Sequence, residues 1–175
     1  MKIKIIFGYL GLRIMNVLPA NGSWPNLFQQ EIRAFFAQFF LAKAGKKINI
    51  QRFSYFSHRC TIGDYSGIGE HSHLYGVVEI GKYVMMGSHC TIYTQNHAFS
   101  RTDIPMCFQG AQNEKKVIID DDVWIGGNVT ILPGVHVHKG SIIGASAVVT
   151  KDVPEYSIVA GNPAIIIKYR KNEKN

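Results

Sequence analysis

Long apolar runs are missing from this 175-residue chain, and no stretch reaches the length that a membrane-crossing helix needs. Cysteine is scarce and odd in number. Cys60, Cys90 and Cys107 show no scaffold spacing, which argues against a disulfide-stapled fold and for reduced thiols in a cytoplasmic setting. Acidic residues are the minority charge, 12 against 19 Lys and Arg, for a net charge of +7. That balance suits an anionic partner, whether nucleic acid, an acidic membrane surface or a phosphorylated cofactor. No Lys/Arg run with interleaved aromatics is present, so nucleic acid is not expected. With 46% hydrophobic and 18% charged residues, the chain is globular rather than disordered.

What is present is a repeat of period six. Steps of six from Ile50 reach Phe56, Ile62, Ile68, Leu74, Ile80, Met86 and Ile92; steps of six from Ile119 reach Ile125, Ile131, Val137, Ile143 and Val149. Every one of these positions is apolar. Four residues after most anchors stands a small or β-branched residue, from Ser54 and Cys60 through Cys90, then from Val123 to Val153. One residue after the anchor is often glycine (Gly63, Gly69, Gly81, Gly87, Gly126, Gly144), read as supplying the backbone angles of a corner. A six-residue period fits a short strand plus a corner. Three units close a triangular coil of about eighteen residues, and the coils stack at strand spacing. Such a stack has a one-dimensional core whose ends need caps.

The two blocks are out of phase. Ile92 to Ile119 spans 27 residues where one step needs 6, so 21 residues are extra. They fall at about 97–116 and read as an extruded loop, the place where a rigid scaffold carries function. Ahead of the first coil, Asn26 is expected to cap a helix with Gln29 reaching back. Phe28, Ile32, Phe35, Phe36 and Phe39 follow helical spacing, and Gly45 is the expected stop. The N-terminus imitates a signal peptide, but Arg13 and Asn16 interrupt it and no small-x-small cleavage site follows, so secretion is not expected. Residues 1–18 read instead as an amphipathic helix, packing on the same end or on a neighbour in preference to a membrane surface. The chain thus divides into a helical cap region (1–47), a β-helix (48–163) and a basic C-terminal tail (164–175).

The run VIIDDDVWIGGNVTILPGVHVHKGSIIGASAVVTKDVPEYSIVAGNPA resembles the bacterial hexapeptide-repeat acetyltransferases. IGDYSGIG and the loop TQNHAFSRTDIPM look most like the sugar and capsular-polysaccharide O-acetyltransferases among them. The resemblance covers about residues 44–170. It implies an all-β, left-handed parallel β-helix, a homotrimer, and acetyl-CoA bound between neighbouring subunits with no metal required. It also implies that His97, in QNH, is the general base, a role that suits a side chain titrating near neutrality. Asn96 beside it is the expected acceptor-binding residue. The acceptor is a hydroxyl of a sugar or polysaccharide precursor.

Spacing of eighteen places Gly126 on Gly144, Gly127 on Ala145, and Leu132 on Thr150. The first two pairs make a strip nearly without side chains where a pantetheine arm can lie along the backbone, unless the small residues merely turn corners. The resemblance places coenzyme A along this strip with Ala145, Thr150 and Lys151 in contact. It also assigns the oxyanion donor to Gly127, where several relatives carry serine. Trp124 borders the strip at an outward position and either walls the site or packs between copies in the trimer. Lys168, Arg170 and Lys171 are candidates for the cofactor's phosphates, or else a solvated tail. Cys60 and Cys90 fall at inward positions and read as core, and Cys107 as an ordinary loop thiol. His71 and His89, eighteen apart, are expected to stack outside one corner, and His73, His136 and His138 point outward. Two other classes compete: a metal lyase of the γ-carbonic-anhydrase kind, whose spaced histidine triad is lacking here, and a catalytically silent repeat scaffold.

Overall fold

The computed structural model describes residues 2–25 and 27–170. Its body is a parallel β-solenoid of about six turns, and each turn contributes one short strand to each of three faces. The first face carries β1 (Lys43–Ala44), β4 (Thr61–Ile62), β7 (Val78–Ile80), β10 (Val117–Ile119) and β13 (His136–Val137). The second carries β2 (Asn49–Ile50), β5 (Gly67–Ile68), β8 (Met85–Met86), β11 (Trp124–Ile125), β14 (Ile142–Ile143) and β16 (Ser157–Ala160). The third carries β3 (Tyr55–Phe56), β6 (His73–Leu74), β9 (Thr91–Ile92), β12 (Thr130–Ile131) and β15 (Val148–Val149). Register follows the eighteen-residue spacing, as in Ile62↔Ile80 and Ile125↔Ile143. Across the loop, Ile80 pairs with Ile119, a step of 39 that equals one coil plus the 21 extra residues.

Thirteen of the fourteen anchors are buried, and Met86 is half-buried. Cys60 and Cys90 are buried among them, and burial pushes both thiols above their ordinary pKa. The anchor column is therefore a continuous aliphatic core. Emptying one layer of it, as in Ile143→Ala, should cost about 2–5 kcal/mol.

The corner glycines act differently from the sequence expectation. Positive φ falls three residues after the anchor, on Phe53, Tyr65, His71, Tyr83, His89, Asp122, Asn128 and Ser146. The glycine one residue after the anchor is required by close approach instead. A Cβ on Gly69 would lie 1.9 Å from the carbonyl oxygen of Gly87 one coil away.

Two helices close the N-terminal end. α1 (Lys2–Ile14) packs on α2 (Gln29–Phe40) through Gly8 and Gly11, where a Cβ would meet the backbone at Phe36 and Phe40 and the ring of Phe36. Phe36 and Phe39 face Phe7 of α1. The face that α2 turns inward is Gln29, Arg33 and Ala37, and Phe28 and Phe35 remain exposed. Periodicity of the phenylalanines therefore marked the helix-helix contact rather than the contact with the solenoid. Asn26 lies outside the described residues, and the helix begins later, with Phe28 at its N-cap. Gln29 accepts the Leu27 N–H and donates to the carbonyls of Ala20 and Ser23. Gly45 is not a helix stop, because α2 ends at Phe40 and the solenoid starts with β1, inside the stretch read as cap. At the far end, the segment read as a tail holds β17 (Ile165–Tyr169), antiparallel on β16. Lys171 lies outside the described residues.

Candidate active site

The extruded loop leaves the solenoid after Thr94, at the corner between the third and first faces. It folds back on itself as an antiparallel arm, with the Ala98 N–H on Gly110 O at 3.0 Å, the Gln112 N–H on Asn96 O at 2.9 Å, and a bridge between His97 and Ala111. His97 is thus held at the root of the arm, exposed, with Asn96 beside it. Farther out, Gln109 donates to the carbonyls of Arg101 and Ile104, and Arg101 pairs with Asp103. Phe99, Met106 and Phe108 on the arm are exposed, as is Cys107.

A clasp that sequence reasoning missed fixes the root of this arm. Glu114, on the returning limb, takes two bonds from Arg59 at 2.8 Å each, one from the Thr94 hydroxyl at 2.9 Å and one from the Val77 N–H at 3.2 Å. The Arg59 guanidinium holds the Glu114 carboxyl below its ordinary pKa and is itself raised. Gly76 makes room for the clasp, since a Cβ there would lie 2.0 Å from the Thr94 hydroxyl. Nothing in the repeat flags Arg59, which stands at an outward position that any polar residue can fill, or Glu114, which lies in the loop outside the repeat.

The bare strip occupies the next corner around, between the second and third faces. Its parts differ physically. A Cβ on Gly126 would lie 2.6 Å from the Ala145 backbone nitrogen, so packing alone demands glycine there. A Cβ on Gly127 would meet only the Ser88 carbonyl, at 3.4 Å, an ordinary contact. Gly127 is bare without steric need, and Ala145 beside it is exposed. Gly144 lies between these cases, with a Cβ reaching Ala160 at 3.0 Å. Trp124 stands outward on β11, half exposed, next to Met85.

Thr150 and Lys151 fall on the loop's own corner, farther along the solenoid. They line a cavity of about 310 Å³ with Val159, Pro163, Ala164 and Ile165. Arg170 is committed to the fold, donating to Asp122 at 3.0 Å and to Gly140 O at 2.7 Å. Lys168 is exposed on β17. One chain therefore does not bring its expected site residues together. His97 and the Thr150 cavity share one corner, while Gly127 and Ala145 sit on another, and the third face separates them.

The remaining histidines partly follow expectation. His71 and His89 stack with centroids 5.0 Å apart and an interplanar angle of 5°, on an outer column with Phe53. His136 and His138 converge on Asp120 at 3.0 and 3.7 Å, a grouping the sequence reading did not make.

Residues 116–151 match the bacterial transferase hexapeptide (six repeats) family. The galactoside O-acetyltransferase of Lactococcus lactis subsp. lactis (strain IL1403) is 42% identical over 87 residues, half of this chain and 41% of that protein. The chain thus spans under half the length of that relative. A maltose O-acetyltransferase from Clostridium difficile 630 superposes with a TM-score of 0.71 at 26% identity, covering 97% of this chain and 88% of that one. AntD, an N-acyltransferase from Bacillus cereus solved with dTDP and 3-hydroxybutyryl-CoA, superposes with a TM-score of 0.65 at 28% identity over 74% and 73% of the two chains. The six-residue period, the triangular coils and these likenesses agree on a left-handed β-helix, and residues 116–151 carry the hexapeptide-repeat transferase pattern.

Proposed function

We propose that this chain is an acetyl-CoA-dependent O-acetyltransferase acting on a hydroxyl of a sugar or polysaccharide precursor, with each active site shared between copies in a homotrimer. The observation that carries the reading is the unfilled surface at Gly127 and Ala145, bare where packing permits a side chain, together with a braced histidine on a different corner. A flat-faced solenoid gains both walls of a site by self-association. Relatives acting on galactosides and maltose, and a structural neighbour solved with an acyl-CoA, support donor and acceptor class.

Pantetheine lies along Gly127 and Ala145, walled by Trp124, and runs toward Thr150 and Lys151. Gly144 leaves room beneath it. His97 takes the proton of the acceptor hydroxyl as that oxygen attacks the thioester carbonyl carbon, and Asn96 orients the acceptor. Charge that develops on the carbonyl oxygen meets the backbone N–H at Gly127, since glycine brings no hydroxyl. Collapse of the tetrahedral species breaks the C–S bond, and the thiolate of coenzyme A leaves with the proton that His97 holds. Lys168 adds positive charge for the cofactor's phosphates, whereas Arg170 is engaged with Asp122. The chemistry needs no metal.

Acetyl-CoA offered with a panel of galactosides, maltose and longer oligosaccharides, followed by thiol release, tests the reading. Turnover is expected with sugar hydroxyls. His97→Ala is expected to lower it about 10²-fold or more while leaving coenzyme A affinity nearly intact. Retention of most activity in His97→Ala contradicts the assignment.

A further inference from the structure

We propose that Asp120, His136 and His138 form a binding site for a divalent transition-metal ion, suited to zinc, that clamps two successive coils outside the reaction. β10 pairs with β13 so that Ile118 faces His136 and Ile119 faces Val137. Asp120 therefore stands one coil away from His138 at the same position. His136 and His138 flank the buried Val137, so both side chains emerge on one face. Asp120 Oδ1 lies 3.0 Å from His136 Nε2, and Oδ2 lies 3.7 Å from His138 Nδ1. The three groups can offer ligand atoms that all fall within 4.8 Å of one another. A four-coordinate zinc held at about 2.0–2.1 Å by each ligand sets its ligand atoms roughly 3.3 Å apart, and the 3.0 Å between Asp120 Oδ1 and His136 Nε2 is close to that separation.

Donor chemistry agrees with the geometry. Two imidazoles and one carboxylate suit zinc, cobalt or nickel, whereas calcium and magnesium prefer oxygen alone. The carboxylate supplies the charge complement. All three side chains are about one-third exposed, which leaves an open side for water as a further ligand. Their backbone is preorganised by the solenoid ladder. Asp120 N–H donates to Val137 O, and His138 N–H to Val153 O, each at 2.9 Å. His136 N–H donates to Asp152 Oδ1 at 2.8 Å, so Asp152 braces the site from a third coil. The cluster lies on the corner between the first and second faces, which carries neither the loop nor the bare strip. A metal here ties the coil of β10 to the coil of β13 and takes no part in acyl transfer.

Zinc chloride titrated calorimetrically into tag-free, chelator-treated protein tests the site. One zinc per chain is expected, with a rise in melting temperature, and Asp120→Asn and His138→Ala should weaken binding roughly tenfold or more. His71→Ala/His89→Ala should bind as wild type. Cobalt(II) in the wild-type chain gives a second readout that needs no variant to fold: an intense visible spectrum of low coordination supports the site. A faint spectrum like that of free aqueous cobalt overturns it. Zinc affinity unchanged in folded Asp120→Asn and His138→Ala also overturns it, and leaves the three residues as a hydrogen-bonded cluster only.

Discussion

Gly126 and Gly127 are chain neighbours that lack side chains for opposite reasons. The first faces the backbone at Ala145 at a distance no Cβ tolerates; the second faces open space beyond an ordinary contact with Ser88. Gly126→Ala should therefore destabilise the fold by about 1–3 kcal/mol through overpacking, visible as a lowered melting temperature. Gly127→Ala should leave melting nearly unchanged. Ala145→Leu, also outward, should melt near wild type yet raise the Michaelis constant for acetyl-CoA strongly. Unchanged coenzyme A affinity in a folded Ala145→Leu would remove the cofactor from this strip. Spacing alone located these positions, since eighteen residues make one coil. Which of the two glycines is free was not legible, because it depends on how far the neighbouring backbone stands from each missing Cβ.

Among the elements, the extruded arm was legible as 21 residues out of phase, but its anchorage was not. Arg59 and Glu114 are 55 residues apart and meet only because the solenoid returns them to one corner. Folding lowers the Glu114 pKa. A lowered carboxylate pKa stabilises above the unfolded value, about 4.3, and that contribution fades as pH falls through the folded value. The pair is partly exposed, so its worth is at most about 1 kcal/mol. Glu114→Gln is expected to lower the melting temperature slightly at pH 7, with the gap to wild type closing as the pH drops below 4. Because the arm carries His97, turnover should fall more than stability does.

The helical cap shows the same limit of sequence reading. No sequence pattern singled out Arg33, yet it is buried and donates to the carbonyls of Met15, Leu18 and Pro19, where α1 has ended. Burial pushes its pKa below the ordinary value. Arg33→Met leaves those carbonyls without their donor and should cost on the order of 3 kcal/mol in a denaturant melt. A cost near zero would mean that the cap contributes nothing to the stability of the solenoid.

For the whole molecule, the period-six pattern carried the architecture, because each inward position is read by a core that admits only apolar residues. The ends were less legible: α2 turned its polar-looking stripe inward, and β17 emerged from a stretch read as tail. Both ends answer to tertiary contacts that no repeat announces. The candidate site residues could be named from the sequence but not placed, since the chain sets His97 and the Gly127–Ala145 strip on different corners.

That separation gives the most direct measurement. His97→Ala and Ala145→Leu chains, each nearly inactive alone at low acetyl-CoA, are unfolded together, refolded as a 1:1 mixture and assayed at that acetyl-CoA concentration. If a site takes His97 from one copy and the strip from its neighbour, random assembly restores about one quarter of the wild-type activity. If each chain builds its own site, the mixture stays as inactive as its parts, and the shared site is contradicted.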